Sequence, residues 1–480
     1  MKKYKILAIG AVMTLGLVSC GDSYFDVDME QNIETENAYS NVQDVQNGMI
    51  GAYYSLGTYR FFGRDVIALG DIASDLATAS PSSGHFVTIY QYSFADTDGD
   101  LNDIWNYGYQ TMDKCVRTIQ GGKKVLEKAD ELKLSEEDIE QVKNAMSQCY
   151  ALRALTVFTL TNIFGLPYQA GKTNSQLGVA LLIDEPLQPF VNTERKSVEE
   201  CYALVLSDIE KAKEFYVDDS YLPGEPAFFF NPSAIYALEA RVNLYMGNYD
   251  KAKEAAENSL SLLKNGDNYD LPSDDIYVNM WSSIAVNDET IFSISKTDDD
   301  NLSANALNTL YGSYKADVSN YLEGLFGEND IRARVLDAYA YKYQGTSTAQ
   351  AVSNIPVFRK SEMYLIIAEC AAQLDMIDEA KDALFYTAKR DLDITDVENL
   401  PASKDELLSF IADERARELY LEGHRWFDAR RTGMTLAVNN GSKILDAAKF
   451  VYPIPADEIN AGFGIVQNTG WEDNLPVSAK

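Results

Sequence analysis

The chain has 480 residues, 46% of them hydrophobic, and 73 acidic against 41 basic side chains give a formal charge of −32. A field of that sign repels phosphate backbones and anionic membrane surfaces, which excludes nucleic acid as a partner. The two histidines, His85 and His424, rule out a histidine-rich metal site and leave a Ser-His-Asp arrangement almost no material.

The N-terminus runs from a basic Met1-Lys2-Lys3-Tyr4-Lys5 into an apolar stretch, Ile6 to Val18, and then Ser19-Cys20. That stretch is shorter than the roughly 20 residues a spanning helix needs, so residues 1–19 read as a removed signal peptide. Small residues ahead of a cysteine resemble the lipobox of bacterial lipoproteins, which implies acylation at Cys20. Several acyl chains anchor stably where one would not. The acidic run Gly21-Asp22-Ser23-Tyr24-Phe25-Asp26-Val27-Asp28 resembles the surface-export signal of Bacteroidetes lipoproteins. Residues 20–40 are therefore expected to be an export segment and tether, with 41–480 a single body. No later segment is apolar and long enough to span a membrane.

The body shows the 3.6-residue apolar period of helices near 42–56, 101–128, 136–164, 197–216, 232–264, 302–312, 360–390 and 404–431, which predicts an all-α fold with long loops. Between the first two helical stretches, Tyr59-Arg60-Phe61-Phe62-Gly63-Arg64-Asp65 and then Asp71, Asp75, His85, Tyr90 and Tyr92 alternate rings and charges without a helical period. Such a pattern suits a recognition loop, the alternative being a loop that packs its rings on the body. Asp96, Asp98, Asp100, Asn102 and Asp103 invite a calcium reading, but Gly99 and Tyr107 fall where an EF-hand loop needs other residues. An acidic cap on the following helix serves equally. Cys115, Cys149, Cys201 and Cys370 lie in helix-like apolar patterns and read as small buried hydrophobes, with pairing in an oxidising compartment as the alternative.

Two stretches carry a sharper pattern. In Tyr236–Ser259 a helix ends at Gly247-Asn248 and another starts at once, with small Ala240, Ala252 and Ser259 where two antiparallel helices approach closely and bulky Tyr236, Leu244 and Tyr249 between them. Tyr364–Thr387 repeats this around Leu374–Asp378, with Ala368, Ala380 and Thr387 small. Both match tetratricopeptide (TPR) hairpins, the pairs lying near 232–264 and 360–390. Their spacing far exceeds the 34 residues of a tandem array, so long insertions interrupt the hairpins and are the expected seat of function.

Sugars present apolar faces and many hydroxyls, so a glycan site needs flat rings with polar groups beside them. Thirty tyrosines and twenty phenylalanines are available, while tryptophans number four. Trp105, Trp426 and Trp471 fall in motif-like segments expected to pack, which leaves Trp281 as the free indole, although its helical spacing from Tyr277 fits packing as well. Tyr311 and Tyr314, with Tyr321 beyond, form a second candidate group in the insertion. The expected ligand residues are thus Tyr59, Arg60, Phe62, Arg64, Asp65, His85, Tyr90, Trp281, Tyr311 and Tyr314.

Toward the C-terminus, Asp413-Glu414-Arg415-Ala416-Arg417-Glu418-Leu419-Tyr420-Leu421-Glu422-Gly423-His424-Arg425-Trp426-Phe427-Asp428 places charges at i,i+3 and i,i+4, where they can pair along a helix until Gly423 allows a break. Glu422, His424 and Asp428 could be read as an acid-base cluster; alternating helical charges more often form networks, and no motif sets a catalytic pair apart. This segment resembles the C-terminal signature of the SusD/RagB family of outer-membrane nutrient-binding lipoproteins. Tyr452-Pro453-Ile454-Pro455, Gln467-Asn468-Thr469-Gly470-Trp471, Asn162-Ile163-Phe164-Gly165-Leu166-Pro167-Tyr168 and Arg359-Lys360-Ser361-Glu362-Met363-Tyr364 are similar to other motifs of that family, in the same order. The resemblance implies a SusD-like fold whose loop-rich insertions form a ligand-binding face. It also implies a non-catalytic role as lid and capture partner of a SusC-like TonB-dependent transporter, with an oligosaccharide or peptide as ligand. No cofactor is implied, though calcium occurs in some members. A TPR-type protein-interaction scaffold without carbohydrate affinity is the competing reading.

Overall fold

Asn41 and Asp98 show why the first helices start where they do. The Asn41 side chain accepts the Asp44 amide ahead of α1 (Val42–Leu56), and Asp98 accepts those of Asp100 and Leu101 beyond the short α2 (Asp65–Ile72), opening α3 (Gly99–Glu127). Ser135 and Asp138 form a reciprocal capping box on α4 (Glu136–Phe164), as do Ser197 and Glu200 on α5 (Val198–Phe215); each cap contributes about 1 kcal/mol. The computed structural model describes residues 38–188, 190–263 and 274–479, so the signal peptide, Cys20 and nearly all of the export segment lie outside the described residues. Among those residues no helix is long and apolar enough to cross a membrane.

α1, α3, α4 and α5 pack side by side, and α4 is buried without interruption from Asn144 to Phe164. The two expected hairpins follow. Asn231 caps and Pro232 opens α6 (Pro232–Met246), Gly247 closes it at φ 72°, and α7 (Tyr249–Ser261) returns antiparallel. Ala240, Ala252 and Ser259 are fully buried at the close approach, where the Ser259 and Ser233 hydroxyls bond. Leu244 is buried between the helices, but Tyr236 and Tyr249 remain at its half-buried edge. In the second pair, α8 (Lys360–Gln373) and α9 (Ile377–Ala388), Ala368, Ala380 and Thr387 are likewise buried and the Tyr364 and Tyr386 rings stack at 3.9 Å. α10 (Lys404–Leu419) and α11 (Arg425–Thr432) complete the helical body.

Short antiparallel strands, which the periodicity did not reveal, act as joints. β1 (Ala77–Thr78) pairs with β5 (Asp317–Val318), β2 (Leu177–Ala180) with β3 (Arg195–Ser197), and β4 (Thr290–Ile294) with β6 (Ile355–Arg359); β7 (Thr435–Val438), β8 (Lys443–Asp446) and β9 (Val477–Ser478) form one three-stranded ribbon. The β4/β6 pair clamps the base of an excursion, residues 295–354, and hands the chain straight to α8. The periodicity predicts helix over 302–312; the structure splits it into a 3-10 turn at Ser303–Asn305 and an α-helical turn at Leu307–Tyr311, because the backbone at Ala306 between them is extended.

The C-terminal motif corrects another expectation. Its charges pair along a helix at Arg417–Glu414 and Arg431–Asp428, and within the segment at Arg415–Asp428, all at 2.8 Å, and otherwise reach across the fold. Arg332 meets Glu414 (2.6 Å) and Asp330 (2.7 Å), and Arg359 meets Glu289 (2.9 Å), Glu418 (3.1 Å) and Glu422 (2.7 Å). Arg390 bonds Glu289 and Glu418, and Lys342 bonds Glu422 at 2.6 Å. All are buried. The break at Gly423, φ 82°, brings its backbone against α2: a Cβ on Gly70 would lie 2.3 Å from the Gly423 carbonyl oxygen. Only glycines allow that approach.

Candidate ligand-binding face

Beyond the C-terminus of α1, residues 57–64 turn sharply; a Cβ at Gly63 would meet the Thr58 carbonyl oxygen at 2.5 Å. The turn sets rings and guanidinium groups in alternation. Arg60 lies 5.1 Å from the Tyr107 ring of α3 and 4.8 Å from Tyr59, and Arg64 lies 4.8 Å from Tyr59 and 5.5 Å from Phe86. Each cation has an acidic side chain beside it, Asp103 at 3.1 Å for Arg60 and Asp65 at 2.7 Å for Arg64. The outer end of this ladder, Tyr107, Arg60 and Tyr59, is half-buried, whereas Phe86, Arg64 and Asp65 are buried beneath it. Burial, opposed by Arg64 and reinforced by the Asp100 carboxylate, pushes Asp65 up to about 8.

The excursion is stapled to the same place. Besides the β1/β5 pairing, the Ser319 hydroxyl donates to the Asp75 carbonyl at 2.5 Å, and Arg64 reaches Asn305 at 3.3 Å. The His85 ring stacks on Tyr314, 4.3 Å between centroids and 13° from parallel, so the two candidate stretches meet ring to ring. Burial, with Arg64 nearby, lowers the His85 pKa, which keeps the ring neutral at pH 7. Gly312 leaves room for Tyr339 to lie across it; a Cβ there would stand 2.4 Å from that ring. Tyr339 is 53% exposed and its hydroxyl lies 3.0 Å from that of Ser313, while the Tyr341 hydroxyl donates to Asp317. Of the described residues other than glycine that hold positive φ, Phe86, Tyr92, Ser303, Lys315, Ala340 and Tyr341 belong to these two loops. Bulky side chains avoid that region, and such strain gathers where surrounding structure holds a surface in a set shape.

Tyr59, Arg60, His85, Tyr90 and Tyr314 therefore lie partly open on this face. Phe62, Arg64 and Asp65 are buried below it, and Tyr92 donates its hydroxyl to the Ala73 carbonyl inside the core. Tyr311 is buried against Tyr343, the rings 12° from parallel, as internal packing of the excursion. Trp281 is buried too, with Lys342 and Arg359 at 4.9 and 5.2 Å from its ring, so the free indole is a lid on the charge network. Asp71 accepts the amides of Leu421 (3.1 Å) and Gly423 (2.5 Å), and Asp75 holds Arg425 in a two-point pair, so both acids anchor the face to the C-terminal motif. Tyr107, Tyr339 and Tyr341 escaped the sequence reading. The alternation Tyr339-Ala340-Tyr341-Lys342-Tyr343 carries the same non-helical signal that marked 59–65; Tyr107, inside a helix, carries none.

The acidic run before α3 is occupied: Asp98 caps the helix and accepts the Thr88 hydroxyl, and Asp103 faces Arg60. Among the described residues no group of three or more His, Cys, Asp or Glu side chains is arranged to hold a metal ion. The four described cysteines are buried thiols. Glu422 and Asp428, weighed above as an acid-base cluster with His424, are engaged by Arg359 and Lys342 and by Arg415 and Arg431, and burial keeps His424 neutral.

A family model described as "SusD family" matches residues 331–471, and a second, described as "Starch-binding associating with outer membrane", matches residues 23–244. The chain belongs to the SusD/RagB family. A curated SusD-like protein P38 of Formosa agariphila is 24% identical and aligns over 99% of this chain and all of its own length. A solved SusD superfamily protein of Bacteroides vulgatus is 26% identical with a TM-score of 0.77, covering 90% of this chain and 100% of that one. A SusD-like carbohydrate binding protein of the same species has a TM-score of 0.67 at 20% identity, covering 83% and 85%. Proteins of the SusD family bind carbohydrate without catalysing its breakdown, and this chain is not an enzyme. The SusD-family segment 331–471 contains most of the charge network, and the second model ends within α6, so the loops between them, which include Tyr314, fall outside both matches.

Proposed function

We propose that the protein is a cell-surface glycan-binding lipoprotein, tethered through acylated Cys20 to the outer membrane. It captures oligosaccharide on the face formed by residues 57–98 and 302–343 and acts as the lid of a SusC-like TonB-dependent transporter. The observation that carries the reading is the meeting of two irregular loops through the His85–Tyr314 stack beside the Tyr107–Arg60–Tyr59 ladder. Flat half-open rings next to hydroxyl, guanidinium and imidazole groups match what a sugar offers: apolar C–H faces rimmed by hydroxyls. Starch binding and outer-membrane association in the description of the second family model, and carbohydrate binding in the name of one structural relative, support the ligand class. The acidic, water-facing body supports a location outside the membrane core.

A glycan array probed with the protein, followed by isothermal titration of the best ligand against Tyr59→Ala and Tyr314→Ala, tests this. Each variant is expected to weaken binding about tenfold. No carbohydrate retained on the array would favour the scaffold reading, and unchanged affinity in both variants would move the site elsewhere. Co-purification of a TonB-dependent receptor from detergent-solubilised membranes tests the partner.

A further inference from the structure

Large apolar side chains stand in solvent around one pair of loops remote in sequence from the ligand face. Ile183, Leu187, Phe190 and Val191 come from one loop and Val466 from the other, with Leu177 of β2 beside them, and Phe190 is 85% exposed. The loops hold each other: the Thr193 amide donates to the Phe463 carbonyl at 2.7 Å, Arg195 donates to that of Val466 at 3.0 Å, and the Phe190 ring meets Phe463 edge-on at 5.9 Å. Phe190 has φ 62°, so a strained backbone presents a ring that burial does not reward. Apolar exposure gathered in this way marks a surface that contacts something other than water.

The position of the loop says what. On α3, Asp113 accepts the Leu187 amide at 2.7 Å and pairs with Arg117, which donates to the Leu187 carbonyl at 3.4 Å. Tyr39, at the start of the described chain, bonds Thr118 one residue further along α3, and the charges of Arg117 and Asp113 both act on its phenol. Tyr39 also occupies the space over Gly121 and Gly48. The chain coming from Cys20 therefore joins the body next to the apolar loop. The segment from Cys20 to Ala38 reaches about 60 Å at most. Arg117 and Lys123 are each offset by an acid here, Asp113 at 2.7 Å and Asp184 at 3.9 Å, so apolar contact and not charge is what this flank offers.

We propose that Ile183, Leu187, Phe190, Val191 and Val466 rest in the interfacial zone of the lipid bilayer, with Phe190 as the wedge, docking the tethered body onto the membrane that its anchor enters. The inference rests on the reading of Cys20 as acylated. The occupant is lipid because the tether joins the body beside these side chains, so an anchored chain can bring them to the bilayer, and apolar side chains there gain by leaving water for the headgroup boundary.

The test uses the full lipoprotein, isolated with its own acyl chains and reconstituted into phosphatidylcholine–phosphatidylethanolamine vesicles. A nitroxide label is placed at Phe190→Cys and, as the water-facing control, at Tyr339→Cys; the described native cysteines are buried, which directs the label to the new thiol. Collision with a water-soluble nickel chelate is expected to be about fivefold lower at 190 than at 339, with oxygen collisions higher. Unchanged thermal melting of both variants shows that the label, and not the fold, is read. Vesicle-bound protein whose label at 190 is as accessible to nickel as that at 339 overturns this inference alone. Protection that appears only in membranes containing a transporter overturns it as well, in favour of a protein contact. Failure of the unlabelled protein to float with vesicles overturns the anchor reading together with this inference.

Discussion

The charge network beneath α10 and the open ladder at residues 59–107 are built from one ingredient, a guanidinium group against an aromatic ring with a carboxylate alongside. In the network Arg390 lies 4.6 Å from Tyr277 and Arg359 5.2 Å from Trp281, with all four groups buried and the acids approached by several cations. In the ladder Arg60 sits between Tyr59 and Tyr107 with a single acid, Asp103, and about a third of both charged side chains in water. Burial alone separates their roles. Removing one partner of a buried charged pair costs about 3–5 kcal/mol because the remaining charge stays in a low dielectric, whereas an exposed pair contributes about 0–1 kcal/mol. The network therefore fixes the body, and the ladder is free to meet a ligand.

Arg332→Met should separate the two regions most widely. It leaves buried Asp330 without its cation and takes one of several from buried Glu414 and Glu418, and is expected to lower the unfolding free energy by about 3–5 kcal/mol in urea titrations or to prevent folding. Arg60→Met should cost under about 1 kcal/mol. Equal losses would erase the distinction.

Acid and base divide the regions in a second way. Burial works to raise the Glu414 pKa, but Arg332 and Arg417 outweigh it and hold the group down at about 2. The stability from that depression is fully present above pH 4.5 and is lost as pH falls toward 2, roughly 3 kcal/mol for a shift of this size. Arg390 and Arg359 depress Glu418 in the same direction. Asp65 has the opposite sign. Its pKa of about 8 means that the folded chain keeps a proton which the unfolded chain releases near pH 4, so its contribution declines as pH rises from about 4 to 8. Melting temperatures should therefore peak in mildly acid buffer, and Asp65→Asn should flatten the neutral side of the curve while leaving the acid limb intact. A wild-type maximum above pH 8 would contradict both signs.

The body was far more legible in the sequence than the face, and the difference is physical. Helical burial repeats every 3.6 residues and hairpin contacts demand small residues, so Ala240, Ala252, Ala368 and Ala380 announced themselves. Loop residues obey no period: the segment 59–65 drew attention by its alternation, but nothing in it told the half-open Tyr59 and Arg60 from the buried Phe62 and Asp65. Trp281 and Tyr311 look like recognition rings until the long-range partners Lys342, Arg359 and Tyr343 are in place. The glutamates of α10 suggested pairing along the helix because their partners, at 332–390, carry no local mark. Long-range contact is what a linear pattern omits.

The smallest effect on stability, and the sharpest on ligand, is expected at the rings that stand furthest out. Tyr339 is mostly exposed and touches the fold through Gly312 and Ser313, so Tyr339→Ala should change the unfolding free energy by less than about 0.5 kcal/mol. Tyr314→Ala removes the stack with His85 as well and should cost about 0.5–1.5 kcal/mol of stability, since an aromatic pair of that geometry contributes that much. Glycan affinity should fall in both, further in Tyr314→Ala, because losing the stack also frees His85 to leave the face. Replacing Tyr314 with Phe keeps the stack and deletes one hydroxyl, so most of the affinity should return. If Phe restores nothing, the Tyr314 hydroxyl and not its ring plane recognises the sugar, and the face binds by hydrogen bonding where stacking was expected.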